Sequence, residues 1–146
     1  MTPIIYFEDV SIGDVMPSLL KDPIEKLQLI KYAGASGDFN PLHTDPNIGK
    51  SIGMGGCIAH GMLIMGFVGE AITSWISKKY LRTFTLRFVG MTKPGDSICI
   101  VGHIVEKNET NKLIMCKVTA KKQTNEVVAE GFFEARLPSK LSGTKV

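Results

Sequence analysis

At 146 residues the chain has room for one core and not two. Its 44% apolar and 21% charged content is that of a folded globular domain, which excludes a largely disordered or fibrous protein. A net charge of +3, carried by lysines scattered over turns and strands, gives no basis for a nucleic-acid partner.

The first twenty residues read as a short strand and a turn at Gly13-Asp14. Asp22-Pro23-Ile24-Glu25 then has the makeup of a capping box with proline at the first helical position, predicting a helix through about Ala35. A strand kept to Ile24 with a later helix start fits equally well. Gly37 and Pro41 break any helix that would continue, and Asn40, before the proline, is pushed out of the α region. Asp45 is placed to cap a short helix that starts at Pro46 and ends by the glycines Gly53, Gly55 and Gly56. A long helix follows from about Ala59 to Lys78. Its first half, residues 62–68, is apolar all round, which predicts burial on every side. Gly61, Gly66 and Gly69 lie near one flank, where a sheet or ligand can approach closely.

From residue 82 the apolar period changes to two. Phe84, Leu86 and Phe88 share one face, as do Ile114, Cys116, Val118 and Ala120, and a last strand turns Val127, Ala129, Gly131, Phe133 and Ala135 inward. Between the first two of these lies a strand over 98–105, entered through the turn Lys93-Pro94-Gly95-Asp96, and polar hairpin connections fall at 106–112 and 123–126. A long apolar helix followed by four antiparallel strands predicts an α+β domain over 1–138, a sheet curled around the helix. Residues 139–146 read as a flexible tail.

Cys57, Cys99 and Cys116 have no C-x-x-C spacing, so neither a disulfide framework nor a structural zinc is expected, and a cytoplasmic setting fits. The longest apolar run, residues 61–69, is far short of the ~20 needed to span a bilayer, and no basic-then-apolar leader is visible. No membrane association is expected.

The chemistry concentrates in the loop after the first helix. Asp38 and His43 are two proton-transfer groups in a segment shaped by Gly37 and Pro41, so both side chains can be aimed at one point. A carboxylate and an imidazole so placed can share the proton movements of adding water to, or removing it from, a polarised double bond. Standing alone, Asp38 is as well read as a turn residue and His43 as an ordinary histidine. Asn40 either orients a water or serves the turn. Gly61 sits at the expected start of the buried helix, where free N–H groups favour developing negative charge; the plainer reading is a packing glycine. His60 reads as structural, and Cys57 as a small buried residue. His103 has no visible partner, and no metal site follows from the spacing of the three histidines. Met62, Met65 and Phe67 read as core, some of them as possible walls of an acyl tunnel.

The run Tyr32…Ser36-Gly37-Asp38…Asn40-Pro41…His43 resembles the hydratase motif of the MaoC-like enoyl-thioester hydratases and dehydratases, and Ile58-Ala59-His60-Gly61-Met62-Leu63 matches that family's second signature. The similarity runs from Phe7-Glu8-Asp9-Val10 to Leu137 and is strongest toward bacterial β-hydroxyacyl dehydratases. It implies the hot-dog fold and an R-specific hydro-lyase that interconverts trans-2-enoyl and 3-hydroxyacyl thioesters of coenzyme A or a carrier protein, with no cofactor. It also implies Asp38 and His43 as the water-activating pair, Gly61 as backbone donor to the thioester, Ser36, Asn40, His60 and Met62 as supporting residues, and a dimer, either of identical chains or with a related subunit. The competing reading within the same fold is a thioesterase using Glu70 on the central helix. A subunit active only with a partner is the third.

Overall fold

The computed structural model describes residues 2–143. Its sheet is fully antiparallel, in the order β1-β3-β4-β5-β2, from β1 (Leu19–Leu20), β2 (Leu81–Phe88), β3 (Ile98–Asn108), β4 (Leu113–Lys122) and β5 (Val127–Arg136). Among the described residues three α-helices accompany it: α1 (Lys26–Ser36), α2 (Pro46–Ser51) and α3 (Gly61–Trp75).

The period-two pattern produces the core. Alternate residues of β3 and β4 (Ile98, Ile100, Ile104; Ile114, Cys116, Val118, Ala120) are buried, and they meet Leu63, Ile64, Phe67, Val68, Ala71 and Ile72 of α3 in one cluster. Ala129, Phe133 and Ala135 of β5 join them as expected, but an irregularity in its pairing with β4 buries Val128 and leaves Val127 half-buried. Burial pushes the Cys116 thiol up to about 12, so it packs as an inert small hydrophobe. Gly131 is required where β5 meets β2, because a Cβ there would lie 1.9 Å from the Thr85 carbonyl oxygen and 2.9 Å from the Leu86 Cα. Both obstacles are backbone. Gly131→Ala is therefore expected to force the two strands apart and destabilise the domain by at least the ~1–3 kcal/mol of an overpacked core. Thermal unfolding checks it: an unchanged midpoint would contradict the close approach.

Several expectations are corrected. The Asp22–Glu25 box caps nothing: α1 starts at Lys26, after an extended Glu25 that makes no side-chain cap bond. The stretch before it follows the sheet, with Lys21 N–H donating to Ile98, Ile24 N–H to Asp96 and Gly95 N–H to Ile24. Backbone pairing outweighs the capping signature, and the later helix start is the one realised.

The central helix ends at Trp75, with Ile76 extended, short of Lys78. Nor is its first half buried on every side. Met62 is 57% exposed, Gly66 is exposed, and Met65 and Gly69 are half-buried, so one flank lies open along the helix. A concave sheet reaches only the opposite flank. Met62 is thus not core, and Phe88 at the end of the edge strand β2 is also exposed.

The connection after β3 is shorter than expected, since β3 continues to Asn108 through an irregularity between Ile104 and Glu106. The turn leading into that strand is as read: Gly95 takes a φ of 94° and the Asp96 carboxylate accepts the Lys93 N–H at 2.8 Å. Partial burial raises the Asp96 pKa, but that N–H together with Gln123 and Lys122 outweighs burial and leaves the carboxyl below its usual range.

Lastly, residues 139–143 are not loose. Lys140–Gly143 forms a 3-10 turn, and the Glu8 carboxylate accepts from the Ser139 hydroxyl and, at 2.9 Å, from the Lys140 N–H. These bonds, led by Ser139, hold the Glu8 carboxyl down at about 2. The last part of the expected tail, residues 144–146, lies outside the described residues.

Candidate active site

The loop between α1 and α2 is built from polar side chains that each receive a backbone N–H two residues on. Ser36 Oγ accepts from Asp38 at 3.1 Å, Asp38 Oδ1 from Asn40 at 3.2 Å, and Asn40 Oδ1 from Leu42 at 3.1 Å. This succession of local turns replaces regular structure and delivers the chain into a single 3-10 turn, Pro41–His43. Asn40 therefore serves the turn through its carbonyl oxygen. Asp45 caps α2 as expected, accepting from Asn47 at 2.9 Å.

Asp38 divides its two oxygens between the two readings of the residue. Oδ1 belongs to the turn, while Oδ2 faces His43 Nε2 at 3.7 Å. That separation is too long for a direct hydrogen bond and short enough for one water to contact both. The other ring nitrogen of His43, Nδ1, lies 2.8 Å from the Ile58 carbonyl oxygen. A carbonyl only accepts, so Nδ1 carries the proton, and in the neutral ring the bare lone pair is on Nε2, facing Asp38. The His43 side chain is 11% exposed and that of Asp38 51%, so the pair opens to solvent on the carboxylate side.

His60 and Gly61 bring the start of α3 to this loop. The His60 ring stacks on His43 with centroids 3.8 Å apart and 23° between planes, and its Nε2 is 3.1 Å from the Asp38 carbonyl oxygen. Tyr32 meets the His60 ring edge-on at 4.7 Å. Gly61 is the first residue of α3, and its N–H is one of those an α-helix leaves without an intrahelical partner. The preceding segment is held from both sides, Ile58 N–H donating to Leu42 and Ala59 N–H to Thr92. A Cβ on Gly61 would lie 3.3–3.4 Å from the Phe88 ring, so that ring walls the helix start. Met62, next along the helix, projects into the open.

Ser36, Asp38, Asn40, His43, His60 and Gly61 are thus linked into one site. Glu70 is not part of it: it pairs with Lys21 at 2.7 Å, is 49% exposed, and stands nine residues along α3 from Gly61, ~13 Å at helical rise. Cys57 is buried, and His103 is exposed on β3. Asp38, His43 and His60 do bring ligand atoms within 4.8 Å of one another, which the spacing of the histidines in sequence had not suggested. The donor set fits a metal poorly, because the His43 and His60 rings are stacked 3.8 Å apart and 23° from parallel, so their in-plane lone pairs run side by side and do not converge on one ion. Two contributions had no signal in sequence order: the Ile58 carbonyl, which acts through main chain, and the Phe88 ring, whose position depends on the fold; Tyr32 stands in the motif, but its contact with His60 exists only in the fold.

An antiparallel sheet curled around one long helix is the hot-dog fold, here with Asp38, His43, His60 and Gly61 gathered at that helix's N-terminus. The chain belongs to the MaoC-like family, whose domain model matches residues 10–127. It is 30% identical over 104 residues to the peroxisomal enoyl-CoA hydratase 2 of Arabidopsis thaliana, covering 69% of this chain and 32% of that protein. With the mitochondrial 3-hydroxyacyl-[acyl-carrier-protein] dehydratase of the same plant it shares 29% over 133 residues, 89% of this chain and 79% of that one. The unliganded R-hydratase PhaJ1 of Pseudomonas aeruginosa has the same fold, with a TM-score of 0.82 at 24% identity over 94% of this chain and 88% of that one. Several curated relatives are much longer, the chain spanning 18%, 6% and 32% of three of them.

Proposed function

We propose that the protein is a hydro-lyase that reversibly adds water to trans-2-enoyl thioesters of coenzyme A or acyl-carrier protein, giving the (R)-3-hydroxyacyl form. The observation that carries this reading is the 3.7 Å gap between Asp38 Oδ2 and His43 Nε2, in a loop bonded through His60 to the start of α3, where Gly61 is the first helical residue. A water held in that gap gives its oxygen to C3 and one proton to the pair, and the pair returns one proton to C2. The two groups act as one proton carrier, with the His43 lone pair turned toward the water. Negative charge gathers on the thioester oxygen as C3 is attacked, and the Gly61 N–H at the positive end of α3 stabilises it. Water is added whole, so the step balances without a redox partner.

The thioesterase reading loses its support with Glu70, which is engaged by Lys21 on the surface. A set of trans-2-enoyl-CoA substrates of increasing chain length separates the two reactions. Hydration removes the absorbance of the conjugated enoyl thioester and releases no thiol, whereas release of free thiol in step with substrate loss would overturn the proposal.

The open flank of α3, with Met62, Met65, Gly66 and Gly69, lies in a molecule whose edge strand β2 ends at exposed Phe88 and is followed by exposed Val89 and Met91. An exposed apolar edge of this kind favours a second hot-dog subunit, identical or related, which covers it and completes the acyl wall. Light scattering at micromolar concentration is expected to give a dimer or larger assembly, and a fully active monomer would contradict this. The three cysteines, all free, suit a reducing cytoplasm, and no helix among the described residues is long and apolar enough to cross a membrane.

A further inference from the structure

We propose that His60 is a positioning residue that holds Asp38 and His43 in mutual register without touching substrate, an inference that rests on the hydration reading above. The ring is 1% exposed and occupies the N-cap position of α3, yet its side chain makes no cap bond to the helix. It reaches instead across twenty-two positions of sequence, within 3.1 Å of the Asp38 carbonyl oxygen. Because that partner is an acceptor, Nε2 donates, and a neutral ring leaves Nδ1 without a proton. This Nδ1 is buried and has no hydrogen-bond partner among the described residues. A buried polar atom left unpaired is a cost that a phenylalanine would avoid, so packing alone does not account for a histidine here.

The position explains what the N–H accomplishes. One face of His60 covers the His43 ring at 3.8 Å, and Tyr32 closes on it edge-first at 4.7 Å, so the ring has little freedom to turn. Held this way, it fixes His43 by contact and the backbone of Asp38 by a hydrogen bond. Gly61 is the next residue in the chain. The thioester-polarising N–H, the base and the carboxylate are thereby referred to one dipeptide, His60-Gly61, and a slip of the loop against α3 would widen the gap in which the water sits. A misplacement of about an ångström there is enough to cost on the order of 10² in rate.

The test uses the full chain and trans-2-butenoyl-CoA, with His60→Phe, which keeps a flat ring and removes the donor, and His60→Gln, which keeps a donor and removes the stack. His60→Phe is expected to lower kcat by about 10- to 100-fold with KM within about threefold, and His60→Gln to retain several-fold more activity than the phenylalanine variant. In the Asp38→Asn background, His60→Phe should add less than about threefold, because it acts through a group already disabled. A merely structural histidine would instead add its full effect to that background. Either full additivity, or a kcat within twofold of the parent in both single variants, overturns the proposal while leaving the hydratase reading intact. If His60→Phe does not fold, the cycle is run with His60→Gln, for which a smaller but measurable kcat loss, absent in the Asp38→Asn background, is expected and an additive or absent loss is fatal. A parent protein with no hydratase activity removes the reading and the inference together.

Discussion

Asp38→Asn and His43→Ala are each expected to lower hydration of an enoyl thioester by at least ~10², the scale of losing a positioned acid or base. The geometry separates this effect from loss of structure. Asparagine keeps an oxygen able to accept the Asn40 N–H in place of Asp38 Oδ1, so the turn survives while the charge facing His43 is lost. His43→Ala removes a ring that is largely enclosed, and its bond to Ile58, so some destabilisation accompanies it. Initial rates on variants whose circular dichroism matches the parent settle the matter. Activity within a few-fold of the parent in either folded variant would contradict the assignment of the pair.

Replacing Gly61 separates its backbone from its size. Gly61→Pro removes the N–H proposed to stabilise the thioester oxygen, and loss of one such donor is expected to cost about 10² to 10³ in turnover. Proline suits the first position of a helix, and His60 already has the extended backbone, φ −58° and ψ 133°, that a following proline favours. Gly61→Ala is the control. It keeps the donor and places a methyl group 3.3–3.4 Å from the Phe88 ring, which is exposed enough to give way. The alanine variant is therefore expected to lose binding more than turnover, and the proline variant turnover above all. A folded Gly61→Pro protein with the parent turnover number on saturating substrate would refute the role of the N–H.

Much of this site is legible in the sequence because its parts are local. Ser36, Asp38 and Asn40 each bond two residues ahead, and Gly37 and Pro41 deny the loop any regular alternative. The β4 pattern of Ile114, Cys116, Val118 and Ala120 is equally local, since alternation alone assigns its buried face. What local pattern does not decide depends on partners distant in sequence. Asp22–Glu25 has every local mark of a helix start, yet the backbone beside it bonds to Asp96 and Ile98, and those bonds hold the chain extended. Residues 62–68 are apolar on all sides, but composition does not say whether a flank meets the sheet of its own chain or lies open, as it does at Met62 and Gly66. His60 reads as structural for the same reason: its contacts with Asp38, His43 and Tyr32 exist only once α3 is docked against the loop.

The central claim, that Asp38 and His43 add water across the double bond of an enoyl thioester, is tested most directly by isotope placement. The purified chain is incubated with trans-2-butenoyl-CoA in water carrying both ¹⁸O and deuterium, and the product is analysed by mass spectrometry. An intact 3-hydroxybutanoyl-CoA with one ¹⁸O at C3 and deuterium at C2, formed by the parent and lost in Asp38→Asn, is the result expected. Appearance of ¹⁸O in a free carboxylate with coenzyme A released, or label incorporation undiminished in the folded Asp38→Asn protein, would contradict it.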